Sequence, residues 1–360
     1  MLATLQSNTP NPPAPDRTGG FHMKKIFSIL IIALAFCSCE KEAIDPVVEN
    51  TPIVFGEVQT RADVIEYPYS EFGVFAFMNN GAAGTPEAGI YSPLFDLAGK
   101  NYDRVYKSGE DWTYDNVRYW MSGRTFQFLG FYPYSQTVTP VKNATTYSGY
   151  SLTFVTPDAA NVDLMTAQAT VDEETSDPFP PESVELAFNH ELVKVNVVVE
   201  QDFDKNPYQE FCVNYMSLSN IRRTGTLTIS SLGEEAAHSW TYDASATPLQ
   251  FAYNAPVADT PIRNLEGRKV MLRTDDVMLI PQAAGTINLS LNYAYGTYNS
   301  ESVLEWDYRT ANVNLPASTW KAGTQVTYSI KLSEDNEISF VKVTVASWGK
   351  NQSGGTIIIK

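Results

Sequence analysis

Apolar and polar residues alternate with a period of two along most of the chain. In "TINLSLNYAY" (Thr286 to Tyr295), Ile287, Leu289, Leu291, Tyr293 and Tyr295 share one face, and Thr286, Asn288, Ser290 and Asn292 take the other. "TQVTYSIKLS" repeats this with Val326, Tyr328, Ile330 and Leu332. Successive side chains of a strand point to opposite faces, so these segments are predicted strands with one buried face. "TLTI", "KVNVVVE", "SLTFVT", "RTFQFLGFYPY" and "GVFAFMN" are further predicted strands, separated at short intervals by Gly, Pro, Asn and Asp. That spacing predicts an all-β fold of antiparallel β-sandwiches, one face of each sheet buried and one wet. No long 3.6-residue apolar stripe and no βαβ alternation occurs, which argues against a doubly wound fold. The acidic, Pro-rich "VDEETSDPFPPESV" (Val171 to Val184) lacks periodicity and predicts a boundary that divides the body into 62–182 and 183–360. The same composition also suits a loop inside a sandwich.

The front of the chain breaks the pattern. "MKKIFSILIIALAFCSCEKE" (Met23 to Glu42) has a basic start at Lys24 and Lys25, then eleven apolar residues from Ile26 to Phe36, then Cys and charge. Eleven residues are too few to span a hydrocarbon core of ~30 Å as a helix, so 23–38 is predicted as a signal peptide within a leader covering 1–38. The natural start is predicted at Met23, and the polar, Pro-rich residues 1–22 read as an over-extended gene start. Small Ser38 precedes Cys39, whereas bulky Phe36 precedes Cys37, so Cys39 is the predicted lipidated cysteine of a bacterial lipoprotein signal. Two or three acyl chains, palmitate among them, would hold such a protein stably at a membrane where one chain would not. A plain secretory peptide cut near here is the other reading.

Composition narrows the function classes. The chain has 360 residues, enough for about two domains, and a formal charge of −16. Residues 1–61 carry a net −1 and the remainder −15, so the acidity belongs to the body and nucleic acid is excluded as a partner. Two of the three cysteines, Cys37 and Cys39, lie in the leader, which excludes a disulfide scaffold. Cys212, in "EFCVNYMSLS", reads as a buried small apolar residue. His22, His190 and His238 are far apart and show no metal spacing. No G-x-S-x-G, H-E-x-x-H or P-loop motif occurs, so no enzyme activity and no cofactor is predicted. "NNGAAGTPEAG" (Asn79 to Gly89) contains no Lys and reads as a loop tip, and "DEE" (Asp172 to Glu174) as a solvated loop without the EF-hand pattern. Asp275 and Asp276 are adjacent, which suits no catalytic pair. Trp112, Trp120, Trp240 and Trp306 are candidates to stack on sugars, with core packing as the commoner role.

The two ends of the body carry the sharper question. "IVFGEVQTRADVIEY" (Ile53 to Tyr67) is a strand that runs into Arg61 and starts again at Ala62. Ile53 and Phe55 alternate against Val54 and Val58, and burying three or four such side chains is worth roughly 5–10 kcal/mol gross. Removing that strand would leave an apolar groove and unpaired backbone groups, a template for another strand. At the other end, "ISFVKVTVASW" (Ile338 to Trp348) is predicted to align Val341, Val343 and Val345 on one face. "GKNQSGG" reads as a flexible joint, and "TIIIK", with Ile357, Ile358 and Ile359, closes the chain. Left exposed, that last segment would aggregate, so it either folds back into its own domain or enters a neighbour.

Several stretches together resemble the fimbrillin-like family, the type V pilins and related surface lipoproteins of Gram-negative anaerobes. They are the leader ending at Cys39, "TRA" (Thr60 to Ala62) after the first strand, and "VRYWMSGRTFQFLGFYPYS". "DLMTAQA" (Asp163 to Ala169), "LAFNHELVKVNVVVE", "LIPQ" and the terminal Trp348 with its Gly-rich turn and last apolar strand complete the order. The resemblance implies two tandem β-sandwich domains of transthyretin-like Greek-key type and no catalysis. It implies export as a lipoprotein to the outer membrane surface and cleavage between Arg61 and Ala62, removing 39–61. It also implies head-to-tail assembly with other fimbrial subunits, alike or different, into a fimbrium, the donor strands coming from 338–360. Such contacts do not close, so they build filaments. A host or bacterial surface glycan or protein is the further partner of an adhesive subunit. The alternative is a cell-surface glycan-binding or fimbrial-anchor lipoprotein that never polymerises and keeps Arg61 uncut.

Overall fold

The computed structural model describes residues 50–359 except 61–64, 67–68, 82–84, 88, 96–99, 101, 158–160, 203–209, 234–235, 243–248, 254–261, 264–268, 274–275, 333–337 and 349–354. The described residues form twenty-four strands, numbered β1 to β24 in chain order, and no helix. They make four sheets.

The largest sheet is built from β1 (Phe55–Thr60), β2 (Ile65–Glu66), β3 (Glu71–Asn79), β4 (Tyr91–Pro93), β5 (Tyr102–Ser108), β6 (Asp111–Tyr114), β7 (Thr125–Tyr132), β10 (Met165–Asp172) and β11 (Val184–His190). Its order is β2-β1-β11-β10-β7-β3-β5-β6, with β4 paired to β3. Two adjacent inner strands, β3 and β7, depart from the expected buried-and-wet alternation. On β3, Val74 and Ala76 enter one core cluster while Phe75 and Phe77 enter another. On β7, Phe126 and Phe128 face the first cluster and Leu129 and Phe131 the second. The sheet is covered on both sides there, which is why "GVFAFMN" and "TFQFLGFY" read as nearly continuous apolar runs. Gly73 makes room: a Cβ at that position would lie 2.1 Å from the ring of Phe131, its cross-strand partner.

The second cluster is closed by a four-stranded sheet of order β15-β14-β9-β8, from β8 (Val138–Lys142), β9 (Tyr147–Val155), β14 (Thr224–Ile229) and β15 (His238–Tyr242). The division expected at 182/183 does not follow the sheets. The acidic, Pro-rich connection joins β10 to β11, antiparallel neighbours in one sheet. Strands β14 and β15, later in sequence, pair back onto β9 of the earlier half. Periodicity reports which face of a strand is buried and carries no information about which distant strand lies beside it.

The remaining strands form the second stack. β12 (Val193–Asp202), β18 (Lys269–Arg273), β22 (Thr324–Leu332), β23 (Ile338–Ser347) and β24 (Gly355–Ile359) run in the order β23-β22-β12-β18-β24, with β19 (Val277–Leu279) on β12. They face a sheet of order β16-β13-β20-β21, from β13 (Glu210–Ile221), β16 (Leu249–Tyr253), β20 (Asn288–Tyr298) and β21 (Leu304–Asn314). Here the alternation holds as predicted: Val193, Val195, Val197 and Val199, Leu289, Leu291, Tyr293 and Tyr295, and Tyr328, Ile330 and Leu332 share one core. Two pairings are parallel rather than antiparallel, β1 with β11 and β12 with β22. Both join strands far apart in sequence, where no tight hairpin imposes an antiparallel return.

Candidate functional site

The first strand lies in a bed made by two neighbours. Pro52 forms an antiparallel bridge with Tyr119, flanked by Ile53 N–H donating to Arg118 O at 2.8 Å and Trp120 N–H donating to Thr51 O at 3.0 Å. In that geometry residue 52 needs no N–H of its own, so proline is tolerated in the ladder. On the other side Val184 N–H donates to Val54 O at 2.8 Å, and β1 continues parallel to β11 from Phe55↔Val184 to Thr60↔Phe188. Tyr114 adds a side-chain contact to the backbone, its hydroxyl donating to Ile53 O at 2.8 Å and accepting from Arg118 N–H. Burial raises the Tyr114 phenol, partly offset by the Arg118 backbone hydrogen bond and charge.

The side chains of this segment alternate as expected. Ile53 is fully buried and Phe55 5% exposed, while Val54 is 40% exposed. Phe55 meets the edges of Tyr114, Phe72 and Phe128 with ring centroids 5.7, 6.0 and 6.2 Å away. The bed was not legible beforehand. Its residues in "DWTYDNVRYW" look like sugar-stacking aromatics, yet Trp120 is 1% exposed and packs on Phe126, Phe128 and Phe179. Trp112 and Trp240 pack against core clusters as well, and Trp306 is half-buried.

Of the other sequence-predicted positions, Cys39, Arg61 and Ala62 lie outside the described residues. Strands β23 and β24 occupy opposite edges of one sheet, β23 on β22 and β24 antiparallel to β18. Ile357, Ile358 and Ile359 pair with Met271, Val270 and Lys269. The expected stripe of Val341, Val343 and Val345 is broken. A register shift leaves Val341 without a partner on β22, Val343 packs against the core, and Val345 is 60% exposed. An edge strand bonded on one side only can bulge in this way. Cys212 is buried and free, its thiol pushed up chiefly by burial. No metal-ligand cluster occurs among the described residues.

The motifs behind the resemblance meet in space as structural pins. His190 Nδ1 pairs with Asp163 Oδ2 at 2.7 Å, and Trp348 stacks on the His190 ring at 4.2 Å with Lys194 Nζ 4.7 Å from the indole centroid. Gln282 of "LIPQ" ties Arg222 N–H, Arg222 O and Ile280 O through its amide, at 2.8 to 3.0 Å. Comparison with known families gives a match to the fimbrillin-like description over residues 60–348. The chain belongs to the fimbrillin-like family. Membership groups the chain with fimbrillin-type proteins rather than with an enzyme family. The chain is similar in structure to a fimbrial protein from Bacteroides vulgatus, with a TM-score of 0.56 at 17% identity, covering 83% of this chain and 100% of that one. A Bacteroides uniformis protein ascribed to cell adhesion gives 0.43 at 15%, covering 83% and 99%. The fimbrial anchor protein Mfa2 from Porphyromonas gingivalis gives 0.35 at 11%, covering 83% and 98%. No curated protein matches the chain.

Proposed function

We propose that this fimbrillin-like chain is a structural or adhesive fimbrial subunit, exported as a lipoprotein on Cys39, cut after Arg61 and polymerised by β-strand exchange. The observation that carries the reading is the first strand, seated between β11 and residues 118–120 with Ile53 and Phe55 in the core. It is tied by backbone hydrogen bonds and by the Tyr114 hydroxyl, which a different strand could accept equally. Cutting after Arg61 and removing this strand would empty two apolar sockets worth roughly 3–6 kcal/mol. The donor in this reading is the last strand, whose Ile357 and Ile359 repeat the two-residue spacing of Ile53 and Phe55. Partner subunits, alike or different, would dock head to tail.

A second reading has its own observation. Both end strands are seated within their own chain, β24 on β18 and β1 on β11. A fimbrial anchor or glycan-binding lipoprotein at the outer membrane would keep that arrangement. N-terminal sequencing of the protein taken from cells separates the two. A start at Ala62 with SDS-resistant ladders supports exchange, whereas lipidated Cys39 with monomers alone rejects it. Deleting 355–360 should abolish ladders, and ladders that survive removal of 338–360 rule out these donor strands.

A further inference from the structure

Sequence reasoning saw two histidines with no shared spacing, but the fold brings His190 and His238 to one cavity of about 500 Å³ where β10, β11, β15 and β23 converge. That volume is in the range of small-ligand sites. Gln168, Asn189, Glu191 and Ser347 share its lining. Glu191 is 2% exposed. Its Oε1 accepts from the Thr166 hydroxyl and pairs with His238 Nδ1 at 2.8 Å. Its Oε2 has no partner among the described residues. Glu191 lines the cavity, and a carboxylate oxygen with a lone pair to spare there can accept from a charged donor on a ligand. Behind the lining residue His190, Asp163, 3% exposed, spends Oδ2 on His190 Nδ1 and leaves Oδ1 buried without a described partner. The nearby cation, Lys194, lies over the Trp348 ring and 3.8 Å from Asp276.

We propose that this cavity binds an alkylammonium group, the side chain of a lysine or a free diamine, with Glu191 Oε2 as its anchoring acceptor. The lining is rich in acceptors, and a charge-assisted hydrogen bond to a carboxylate is the strongest contact it can offer. A sugar fits less well because no aromatic face is free there. Trp348 is 4% exposed with its ring covered by His190 and Lys194, and Phe188 is fully buried. His238 sets the pH dependence. Its Nε2 faces Gln168 Oε1 at 3.3 Å, an orientation fixed by the Gln168 amide donating to Ser231 O and Leu232 O. With acceptors on both ring nitrogens, His238 is a competing cation once protonated. Ammonium binding therefore strengthens as pH rises and His238 becomes neutral; His190 is the other titratable group of the lining, with Asp163 paired to it behind, and Lys194, over Trp348, paired with Asp276.

The proposal is independent of strand exchange, and NMR tests it. The chain has three histidines, so their ring C2–H signals are countable. The full chain is titrated with N-acetyl-lysine methylamide, with cadaverine, and with N-acetyl-norleucine methylamide as the uncharged isostere. The expected result is a saturable shift of the His238 signal with a charged probe and none with norleucine, tighter at pH 8 than at pH 6. Binding of the lysine compound alone assigns the ligand to a polypeptide side chain, and binding of cadaverine alone to a free diamine. Glu191→Gln, which retains an acceptor for Thr166 and His238, should weaken binding by roughly tenfold or more. The proposal fails if norleucine binds as well as lysine. It also fails if the charged probes give only the drift seen with tetramethylammonium chloride at equal ionic strength, or if affinity rises on acidification. These last readouts use the unmodified chain and do not depend on how the variant folds.

Discussion

Replacing Phe55 with alanine asks whether the first strand is part of the core or merely laid against it. The ring is 5% exposed and meets three aromatic edges at 5.7 to 6.2 Å. Burial of a Phe side chain is worth about 1.5–3 kcal/mol. Edge-to-face pairs add about 0.5–1.5 kcal/mol each at most, and Phe→Ala in cores costs about 3–5 kcal/mol overall. Urea unfolding of the leaderless chain should therefore show Phe55→Ala destabilised by about 3–5 kcal/mol with the slope unchanged. Val54→Ala, on the exposed face, should stay within about 0.5 kcal/mol. The same energy has a binding readout. A chain beginning at Ala62 should capture a synthetic peptide of residues 50–61, and the peptide carrying Phe55→Ala should bind about 10² to 10⁴ times more weakly. A cost below about 1 kcal/mol in the intact chain would refute the reasoning, because a strand held by its backbone alone leaves no sockets to fill.

Gly73→Ala should cost about 1–3 kcal/mol, because the new methyl meets the Phe131 ring; a thermal melt equal to that of the parent chain would show that the ring moves aside without cost. Trp348→Ala should lose about 3–5 kcal/mol in urea, since it removes a buried ring stacked on His190 and capped by Lys194. For His238, burial pulls the imidazole down, but the hydrogen bond and charge of Glu191 outweigh it and leave the group raised. A raised group stabilises fully below its unfolded value near 6.5 and loses that contribution as pH rises through its higher folded value. His238→Gln should thus lose most relative to the parent chain below pH ~6.5 and converge with it in alkali, and a deficit that grows with pH would contradict the Glu191 pairing.

How much was readable can be judged from particular strands. The inward residues of β20 and β22 were legible, because buried and half-exposed positions alternate from Asn288 to Tyr293 and from Val326 to Leu332. β3 and β7 were legible as strands but not as doubly buried ones. A run such as "VFAFM" shows that both faces are apolar and says nothing about what covers them. The first strand was legible in its inward pair, Ile53 and Phe55, while its bed of Tyr114 and residues 118–120 was not. The bonds that make the bed are to backbone atoms, and backbone atoms leave no mark on residue identity. The Glu191 cavity was invisible for another reason. Thr166, Glu191, His238 and Ser347 belong to separate strands and loops that only the sheet order brings together.

By itself the chain determined its all-β class, the acidity of its body, the inward residues of strands with one wet side such as β20 and β22, and the ordered motifs of the fimbrillin-like family. These depend on local periodicity and composition, and a single strand carries them. Only the tertiary structure decided that β14, with β15 beside it, returns to pair with β9, that β1 runs parallel to β11 and β12 to β22, and that both end strands are seated within their own chain. Strand neighbours are chosen by backbone hydrogen bonds and by the closing of shared cores across long loops. The free energy of those choices is spread over residues that are distant in sequence, and so no single stretch records it.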